Sequence, residues 1–396
     1  MPGVVARIRR KWHWPLAIYV AMAVIVTWQK GVVTGHAANF MLFRSSYHLL
    51  VGGADIYHPP PDQSNGFLYL YSPTFALLFA PFAVLPVSLG LLLWNGVNAL
   101  ALYFGMTRLL PPRAARLALA LVFLDVLRSL QNSQSNALIA GLILLAFTAF
   151  ERRQEGKAMT AVLLGACIKV YPLAAAVLGL AGPPPRRARV LAWSAAMGIV
   201  LAALPLTVLG PSGYVAAWGG WWTTLHRDAG LQGQSVMRML SDWFRITIPN
   251  WTVQGVGVLA LLAPLVARHD RWSNPGFRLR WLCSLLIFLV IFNHQAESAS
   301  FIVATSGVAI WFVTAERTWW RTTLLTLTLL LVSVPRLFFF PYHVYHDGIR
   351  AHALDALPCF LVWLVIQREL WTWRTLQVPE VHQGDVVARE AVTDAS

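Results

Sequence analysis

Hydrogen-bonding side chains stand directly ahead of an apolar run in one part of this chain. Residues 126–142 read VLRSLQNSQSNALIAGL, so Arg128, Gln134 and Asn136 come just before a hydrophobic segment. Lys169 stands between two further apolar runs, in ACIKVYPLAA. Lysine and arginine side chains bind anionic phosphate strongly when they are withdrawn from bulk water. These residues predict a phosphate-binding site, provided that the segments carrying them lie in a membrane.

The composition indicates a membrane protein. Of the 396 residues, 57% are hydrophobic and 12% are charged, with a mean hydropathy of +0.58. A soluble domain carries about 25% charged residues. Apolar runs recur along the whole chain, which predicts a single polytopic domain. The net charge of +14 does not indicate a nucleic-acid partner, because the basic residues stand in short loops between apolar runs, as cytoplasmic loops do.

The cysteines give no sign of a disulfide framework or a metal site. Cys167, Cys283 and Cys359 each stand inside an apolar run, so we expect inert thiols in the core. The chain also has no Asp-x-Asp motif and no histidine cluster. We therefore expect neither a metal nor another cofactor.

The positive-inside rule predicts a multi-pass protein of the cell membrane with both termini in the cytoplasm. Residues 1–14 place a basic cluster before the first apolar run, which we expect to be an uncleaved span rather than a signal peptide. Alternating inner and outer ends gives about twelve transmembrane helices in an all-α membrane domain over residues 15–367, followed by a polar cytoplasmic tail over 368–396. The outer loops would be 34–67, 210–250 and 337–352.

Two further helical elements are expected near the first outer loop. The segment FLYLYSPTFALLFAPFAVLP is apolar but is interrupted by prolines, which favours a re-entrant half-helix. The segment NFMLFRSSYHLLVGGADIY has a pattern compatible with an amphipathic helix lying along the membrane interface. The second element could also be a simple structural brace.

With this topology, polar residues that interrupt the apolar runs collect at the outer side. Ionisable groups at membrane depth are costly, and several of them converging from separate hairpins predict a functional site. Lys169 is the strongest candidate, because the proline after it breaks a hairpin with short legs. A lysine or arginine near the end of a span can instead extend to the interface, and amides can merely cap helices. The residues concerned are Asp125, Arg128, Gln134, Asn136, Lys169, Arg238, His294, Glu297 and Arg336.

The order of several short motifs resembles glycosyltransferase family 87, whose members are mannosyltransferases of the GT-C fold that use a polyprenyl-phosphate-mannose donor. An acidic residue and an arginine precede the family's Gly-Gln-x-Asn turn, as Asp125 and Arg128 do here. The other matching motifs are Tyr71-Ser72-Pro73 through Leu85-Pro86, Ser133-Gln134-Ser135-Asn136 and Lys169-Val170-Tyr171-Pro172. The resemblance extends over roughly residues 15–315, and the family's span count agrees with the one that charge predicts.

The resemblance implies a lipid-linked sugar as donor and a lipid or an envelope glycan as acceptor. A carboxylate would deprotonate the acceptor hydroxyl for inverting attack, and basic residues would stabilise the departing phosphate. Arg128, Lys169, Arg238 and His294 are then candidate ligands of the substrates. Gln134 and Asn136 would bind sugar hydroxyls or close a helix turn.

One residue departs from the family's pattern. The family has a catalytic aspartate at the start of the first outer loop, but Asn39 stands there in Asn39-Phe40-Met41-Leu42-Phe43. An amide cannot act as a general base. Either another acid has taken the role, or the activity is altered or absent. The candidate acids are Asp55, Asp62, Asp125 and Glu297; Glu297 stands close to His294 in a turn that could desolvate it.

Three functions remain open at this stage. A membrane glycosyltransferase fits the motifs best. A transporter of lipid-linked sugars would need polar groups through the full membrane depth and paired halves, whereas the chain has neither signal. A non-catalytic relative that binds polyprenyl phosphate would explain Asn39.

Overall fold

The computed structural model describes residues 13–58, 68–334 and 341–373. All regular elements in these ranges are helices, which confirms the expected all-α class. The first half of the chain forms, in order, α1 (His13–Trp28), α2 (Ala38–Val51), α3 (Pro73–Leu78), α4 (Ala80–Ala83), α5 (Val87–Leu109), α6 (Pro112–Leu121), α7 (Phe123–Gln131), α8 (Asn136–Glu151) and α9 (Glu155–Ile168). A 3-10 turn, Tyr171–Ala176, then leads into α10 (Val177–Leu180).

The second half continues the helical pattern. Its helices are α11 (Pro184–Ala203), α12 (Leu206–Arg227), α13 (Val236–Phe244), α14 (Asn250–Ala267), α15 (Pro275–Ile291), α16 (Phe301–Val313), α17 (Trp319–Thr328) and α18 (Ala356–Trp371). Wider π turns extend α1 through Gln29–Val33 and α17 through Leu329–Ser333, and a third spans Val344–Arg350.

Three helices in the described ranges are long and apolar enough to cross a membrane: α1 with its π turn, α5 and α14. The pair α11 and α12 would make a fourth span, but it is bent by 87°. Several other apolar helices, among them α8 and α16, are shorter than a typical span. The protein is therefore a helical membrane protein, and the count of about twelve spans stays a prediction.

The proline-rich segment forms a broken helix, as the sequence indicated. Ser72 precedes α3 and its hydroxyl accepts a hydrogen bond from the backbone N–H of Phe75, while Pro73 takes the first helical position, where no N–H is needed. The helix breaks at Phe79 and resumes as α4. Whether this element re-enters the membrane stays a prediction.

The structure adds backbone detail to two expected elements. Most of residues 210–250 lie in α12 and α13, and the placement of this segment as an outer loop stays a prediction. Gly210, at a φ of +65°, interrupts α12 near its start. The expected third span, 116–131, is broken at Val122 into α6 and α7. Hydropathy shows that a segment is apolar, but it does not show where the backbone bends.

The bounds of the membrane domain, 15–367, stay a prediction. The last helix, α18, continues to Trp371, beyond the expected boundary at residue 367. The basic cluster of the N-terminus, Asp62, Arg336 and most of the expected tail lie outside the described residues.

Helix α2 packs against the protein core along one face. Phe43 is buried and contacts four aromatic rings, with centroid distances of 4.9 to 5.7 Å, on Tyr71, Phe75, Phe79 and Trp94. Edge-to-face aromatic pairs of this kind stabilise a packed cluster beyond the area that they bury. The cluster joins α2 to α3 and α5, so α2 has a fixed position and carries Asn39 at its start.

The centre of the fold is the close pair α5 and α8. A Cβ atom on Gly141 would lie 2.3 Å from the carbonyl carbon of Ala101, and one on Gly105 would lie 3.1 Å from the carbonyl oxygen of Gly141. Only glycine permits this approach of two backbones. The contact sets the register of α8, whose first turn carries Asn136.

We expect Gly141→Ala to destabilise the protein by about 1–3 kcal/mol, because the added methyl group would collide with the α5 backbone. The control is Gly96→Ala in α5, where a Cβ atom would meet nothing within 4 Å. That change should be neutral or stabilise the helix by up to about 1 kcal/mol. Thermal unfolding in detergent measures both, and equal midpoints for the two variants would contradict the close packing.

Candidate active site

The turn between α7 and α8 holds the amides that the sequence singled out. Ser133 adopts a positive φ of 52°, and its carbonyl accepts a hydrogen bond of 2.8 Å from the indole N–H of Trp94. The backbone N–H of Gln134 donates to the carbonyl of Ser129 at 3.1 Å. Asn98 accepts from the N–H of Leu138 at 3.1 Å. The turn is therefore held from both sides, and its amide side chains have defined positions.

A continuous chain of hydrogen bonds joins four predicted site residues. The Lys169 ammonium donates to Oδ1 of Asn136 at 2.9 Å. Nδ2 of Asn136 donates to Oε1 of Gln134, and Nε2 of Gln134 donates to Oε1 of Glu297 at 2.5 Å. The structure thus brings together side chains from three separate hairpins. Gln134 and Asn136 are buried and Lys169 is half-buried. Glu297, the last residue in this series of hydrogen bonds, is exposed.

The chain of hydrogen bonds places a cation and an anion in one polar cluster. Glu297 is close enough to Lys169 to interact with it electrostatically. Each residue donates a hydrogen bond to the next, from the Lys169 ammonium through the two amides to the Glu297 carboxylate. An exposed carboxylate can accept a proton from a bound hydroxyl, and an ammonium can bind an anion beside it.

Two tyrosines belong to the same cluster, and the sequence analysis did not assign either of them a role. Tyr71 and Tyr171 are both within electrostatic range of Glu297. Burial raises the pKa of the Tyr71 phenol, and the negative charge of Glu297 raises it further, so the hydroxyl keeps its proton. The buried Tyr171 hydroxyl has no hydrogen-bond partner among the described residues. Both tyrosines stand in the motifs that the chain shares with the family, beside Pro73 and Lys169, and this position was the sequence feature that could have indicated them.

Asn39 lies against the same turn but contributes an amide. Its Nδ2 donates to the backbone carbonyl of Asn132 at 2.8 Å. An ionised aspartate has no proton to donate and could not make this bond. The position thus lies near the cluster, as the family pattern implies, while its present contact requires the amide.

Asp125 and Arg128 form a second, buried network. Nη1 of Arg128 lies 3.3 Å from the Asp125 carboxylate, and Nη2 donates to the carbonyl of Ser333 at 2.6 Å. The Ser333 hydroxyl donates to the other Asp125 oxygen at 2.7 Å. Nη1 of Arg128 also reaches the carbonyl of Ser298 at 3.5 Å, one residue after Glu297. This network supports the turn that presents Glu297, and both charged side chains are almost fully enclosed.

Three further predicted residues have other described contacts. Asp55 is exposed and accepts hydrogen bonds from the backbone N–H groups of Tyr57 and His58, so it closes a local turn. Arg238 pairs with Asp242 at 2.6 Å and donates to the carbonyl of Ala351. His294 lies close to Glu297 in sequence, and its Nδ1 is 3.2 Å from the side-chain nitrogen of Gln254. The described contacts do not join Asp55 or Arg238 to Lys169 or Glu297.

The described ranges contain no group of three or more histidine, cysteine or acidic residues that could hold a metal ion.

The fold and the cluster define a helical membrane protein with a lysine, two amides and an exposed carboxylate joined at the ends of its helices. The chain matches the sequence profile of glycosyltransferase family 87 over residues 69–292, and it belongs to that family. The resemblance inferred from the motifs is thereby confirmed. No curated protein matches the chain. The matched segment includes Gln134, Asn136 and Lys169 but ends before Glu297.

Removing the Asp125 carboxylate should destabilise the fold rather than affect chemistry alone. We expect Asp125→Ala to cost about 3–5 kcal/mol, because it leaves the enclosed Arg128 charge without its acidic partner. The control is Asp270→Ala, at an acid whose side chain is 53% exposed and whose ion pairs should contribute less than about 1 kcal/mol. Unfolding midpoints in detergent compare the two. An unchanged midpoint for Asp125→Ala, together with lost transfer activity, would make Asp125 a catalytic acid instead.

Proposed function

We propose that this protein transfers a hexose, mannose in the first instance, from a polyprenyl-phosphate carrier to a lipid or an envelope glycan. Membership of the glycosyltransferase family supports the class of reaction. The observation that carries the proposal is the hydrogen-bonded chain from Lys169 through Asn136 and Gln134 to Glu297. It combines a cation suited to a phosphate with a carboxylate suited to a hydroxyl proton.

In the proposed reaction, Glu297 is the general base. The acceptor hydroxyl oxygen attacks the anomeric carbon of the sugar, and its proton passes to the Glu297 carboxylate. The bond between that carbon and the phosphate oxygen breaks, and the electron pair leaves with the phosphate. Attack from the side opposite the leaving group inverts the anomeric centre. Lys169 stabilises the negative charge that develops on the departing phosphate.

Gln134 and Asn136 would have two roles in this proposal. Each can exchange one of its present hydrogen bonds for a sugar hydroxyl, since amides carry both donor and acceptor atoms. They also keep Glu297 and Lys169 at a fixed separation before the substrate binds, which reduces the reorganisation that the reaction requires. No step in this scheme uses a metal ion.

We further propose that the cluster faces the outer side of the cell membrane and that both termini are cytoplasmic. The support is the asymmetry of charge along α8 and α9. Asn136 begins α8, whereas Arg152 follows its last residue, about 24 Å away at 1.5 Å per residue. Arg152, Arg153 and Lys157 stand at that far end, where the positive-inside rule expects cytoplasmic residues.

One observation favours a second candidate, a relative that binds the lipid carrier without catalysis. Asn39 occupies the position of the family's aspartate and holds the turn through a hydrogen bond that an ionised aspartate could not donate. A carrier-binding protein would keep Lys169 and would not need a base. A transporter of lipid-linked sugars is less well supported, because the polar cluster lies at one end of the helices.

The first test is sugar transfer in proteoliposomes with radiolabelled polyprenyl-phosphate-mannose and extracted envelope lipids. We expect Glu297→Gln to lower the turnover number about 100- to 10,000-fold, since the amide cannot accept the proton. Donor binding should stay nearly unchanged because the side chain keeps its size. Glu316→Gln, at an exposed acid, is the control and should keep full turnover.

The outcomes separate the candidate functions. Transfer that survives Glu297→Gln would remove Glu297 as the base. If the unaltered protein binds the carrier but transfers no mannose, polyprenyl-phosphate-glucose and polyprenyl-phosphate-arabinose are tested as donors. Failure of these donors as well would favour the non-catalytic relative. Transfer from one of those carriers would instead correct the donor sugar.

Lys169 should affect the donor more than the acceptor. We expect Lys169→Met to weaken binding of the polyprenyl phosphate by about tenfold or more, because one charge-assisted contact is lost. Lys169→Arg retains the charge and should recover part of the binding. The measurement is titration of the purified protein with a short-chain polyprenyl phosphate. Equal binding by the methionine and arginine variants would show that the charge does not contact the phosphate.

A further inference from the structure

A large groove lies at the end of the helices opposite the Lys169 cluster. Its volume is about 890 Å³, and α5, α8, α9 and α11 form its walls. Lys157 is at the groove and Lys169 is at the cluster, so the two are about 18 Å apart along the helix direction at 1.5 Å per residue. The groove is therefore separate from the proposed active site.

Three cations line this groove. Arg108, Arg152 and Lys157 are all exposed, and no residue that lines the groove within the described ranges is acidic. Arg108 lies over the ring of Phe104 at 5.6 Å. The side chains of these three cations make no hydrogen bond or ion pair with another described residue. A cluster of uncompensated positive charge repels itself and attracts an anion.

The nearest acids already have other partners. Glu151 makes a two-point contact with Arg278, at 2.7 and 2.6 Å. Glu155 is buried and lies 3.6 Å from Arg186 and 3.4 Å from Arg189. These contacts remove the local carboxylates as counter-ions for the groove. Within the described ranges, these two acids therefore do not balance the charge of the groove, which can attract an anion.

The walls below the cations are mainly apolar, although Thr148 of α8 and Thr160 of α9 also line them. On α9, Leu164 lies two turns beyond Lys157, about 10 Å deeper at 1.5 Å per residue. On α8, Leu145 and Leu142 continue the face that ends near Arg152. Trp193 of α11 closes the other side and is 46% exposed. A charged rim above an apolar slot matches a molecule with an anionic head and a hydrocarbon tail.

We propose that this groove binds an anionic phospholipid of the surrounding bilayer. Its phosphate lies among Arg108, Arg152 and Lys157, and one acyl chain lies against Leu142, Leu145 and Leu164. The three cations come from the end of α5, the turn after α8 and the start of α9. The bound lipid joins the ends of these helices and so stabilises the scaffold that holds the distant amide turn.

The test measures binding of dioctanoyl phosphatidylglycerol to the purified full chain by native mass spectrometry. Dioctanoyl phosphatidylcholine serves as the probe with a zwitterionic head of no net charge, and glycerol phosphate serves as the probe without acyl tails. We expect the anionic lipid alone to bind and to raise the unfolding midpoint. The triple variant Arg108→Gln, Arg152→Gln, Lys157→Gln should bind it roughly tenfold to hundredfold more weakly, since each cation near an anionic lipid contributes to attraction.

Two control variants distinguish lipid binding in the groove from attraction by the overall positive charge of the protein. The variant Arg113→Gln, Arg116→Gln, Arg317→Gln removes three cations that do not line the groove and should keep the binding. Ala161→Phe fills the apolar slot without changing charge and should abolish the binding. The unfolding midpoint without lipid checks that each variant is folded.

Several results would overturn the proposal. Equal loss of lipid binding in both triple variants would mean that binding depends on the overall charge of the protein and not on the groove. Equal binding of the phosphatidylcholine would mean that the cations do not select the headgroup. Binding of glycerol phosphate as tight as that of the lipid would make the groove a site for a soluble anion. Unchanged binding by Ala161→Phe would place the lipid elsewhere.

Discussion

Helices α5 and α8 approach each other at Gly105 and Gly141 so closely that no side chain fits between their backbones. The rest of the structure depends on this contact. It sets where α8 begins, and hence where Gln134 and Asn136 lie relative to Trp94 and Asn98 on α5. In a membrane, where lipid is as apolar as the helix surface, close backbone packing is a main source of helix association.

The same pair of helices carries chemistry of opposite kinds at its two ends. One end presents amides that connect a lysine to a carboxylate. The other end presents cations above an apolar groove. A rigid pair of helices keeps these ends apart by most of the thickness of a bilayer core. The proposed donor site and the proposed lipid site therefore share one scaffold without sharing any residue.

The charged residues of this family member divide by how their charge is balanced. Asp125 and Arg128 balance each other inside the protein and support the turn of Glu297. Glu297 and Lys169 are joined only through amides, which leaves part of each charge for a substrate. At Asn39, the position of the family's acid, there is no charge to balance, and the amide donates a hydrogen bond to a backbone carbonyl.

The sequence by itself determined the membrane class, the all-helical architecture, the family and the polar residues at the ends of apolar runs. These follow from composition, hydropathy and short motifs, which are local properties of the chain. Among the acids, only the tertiary structure decided which one is linked to Lys169 through the two amides: Glu297 is, while Asp125 is enclosed and Asp55 closes a turn. The bend between α11 and α12 and the cationic groove also appeared only there. The physical reason is that such contacts depend on how distant helices pack, and local periodicity carries no record of the partner.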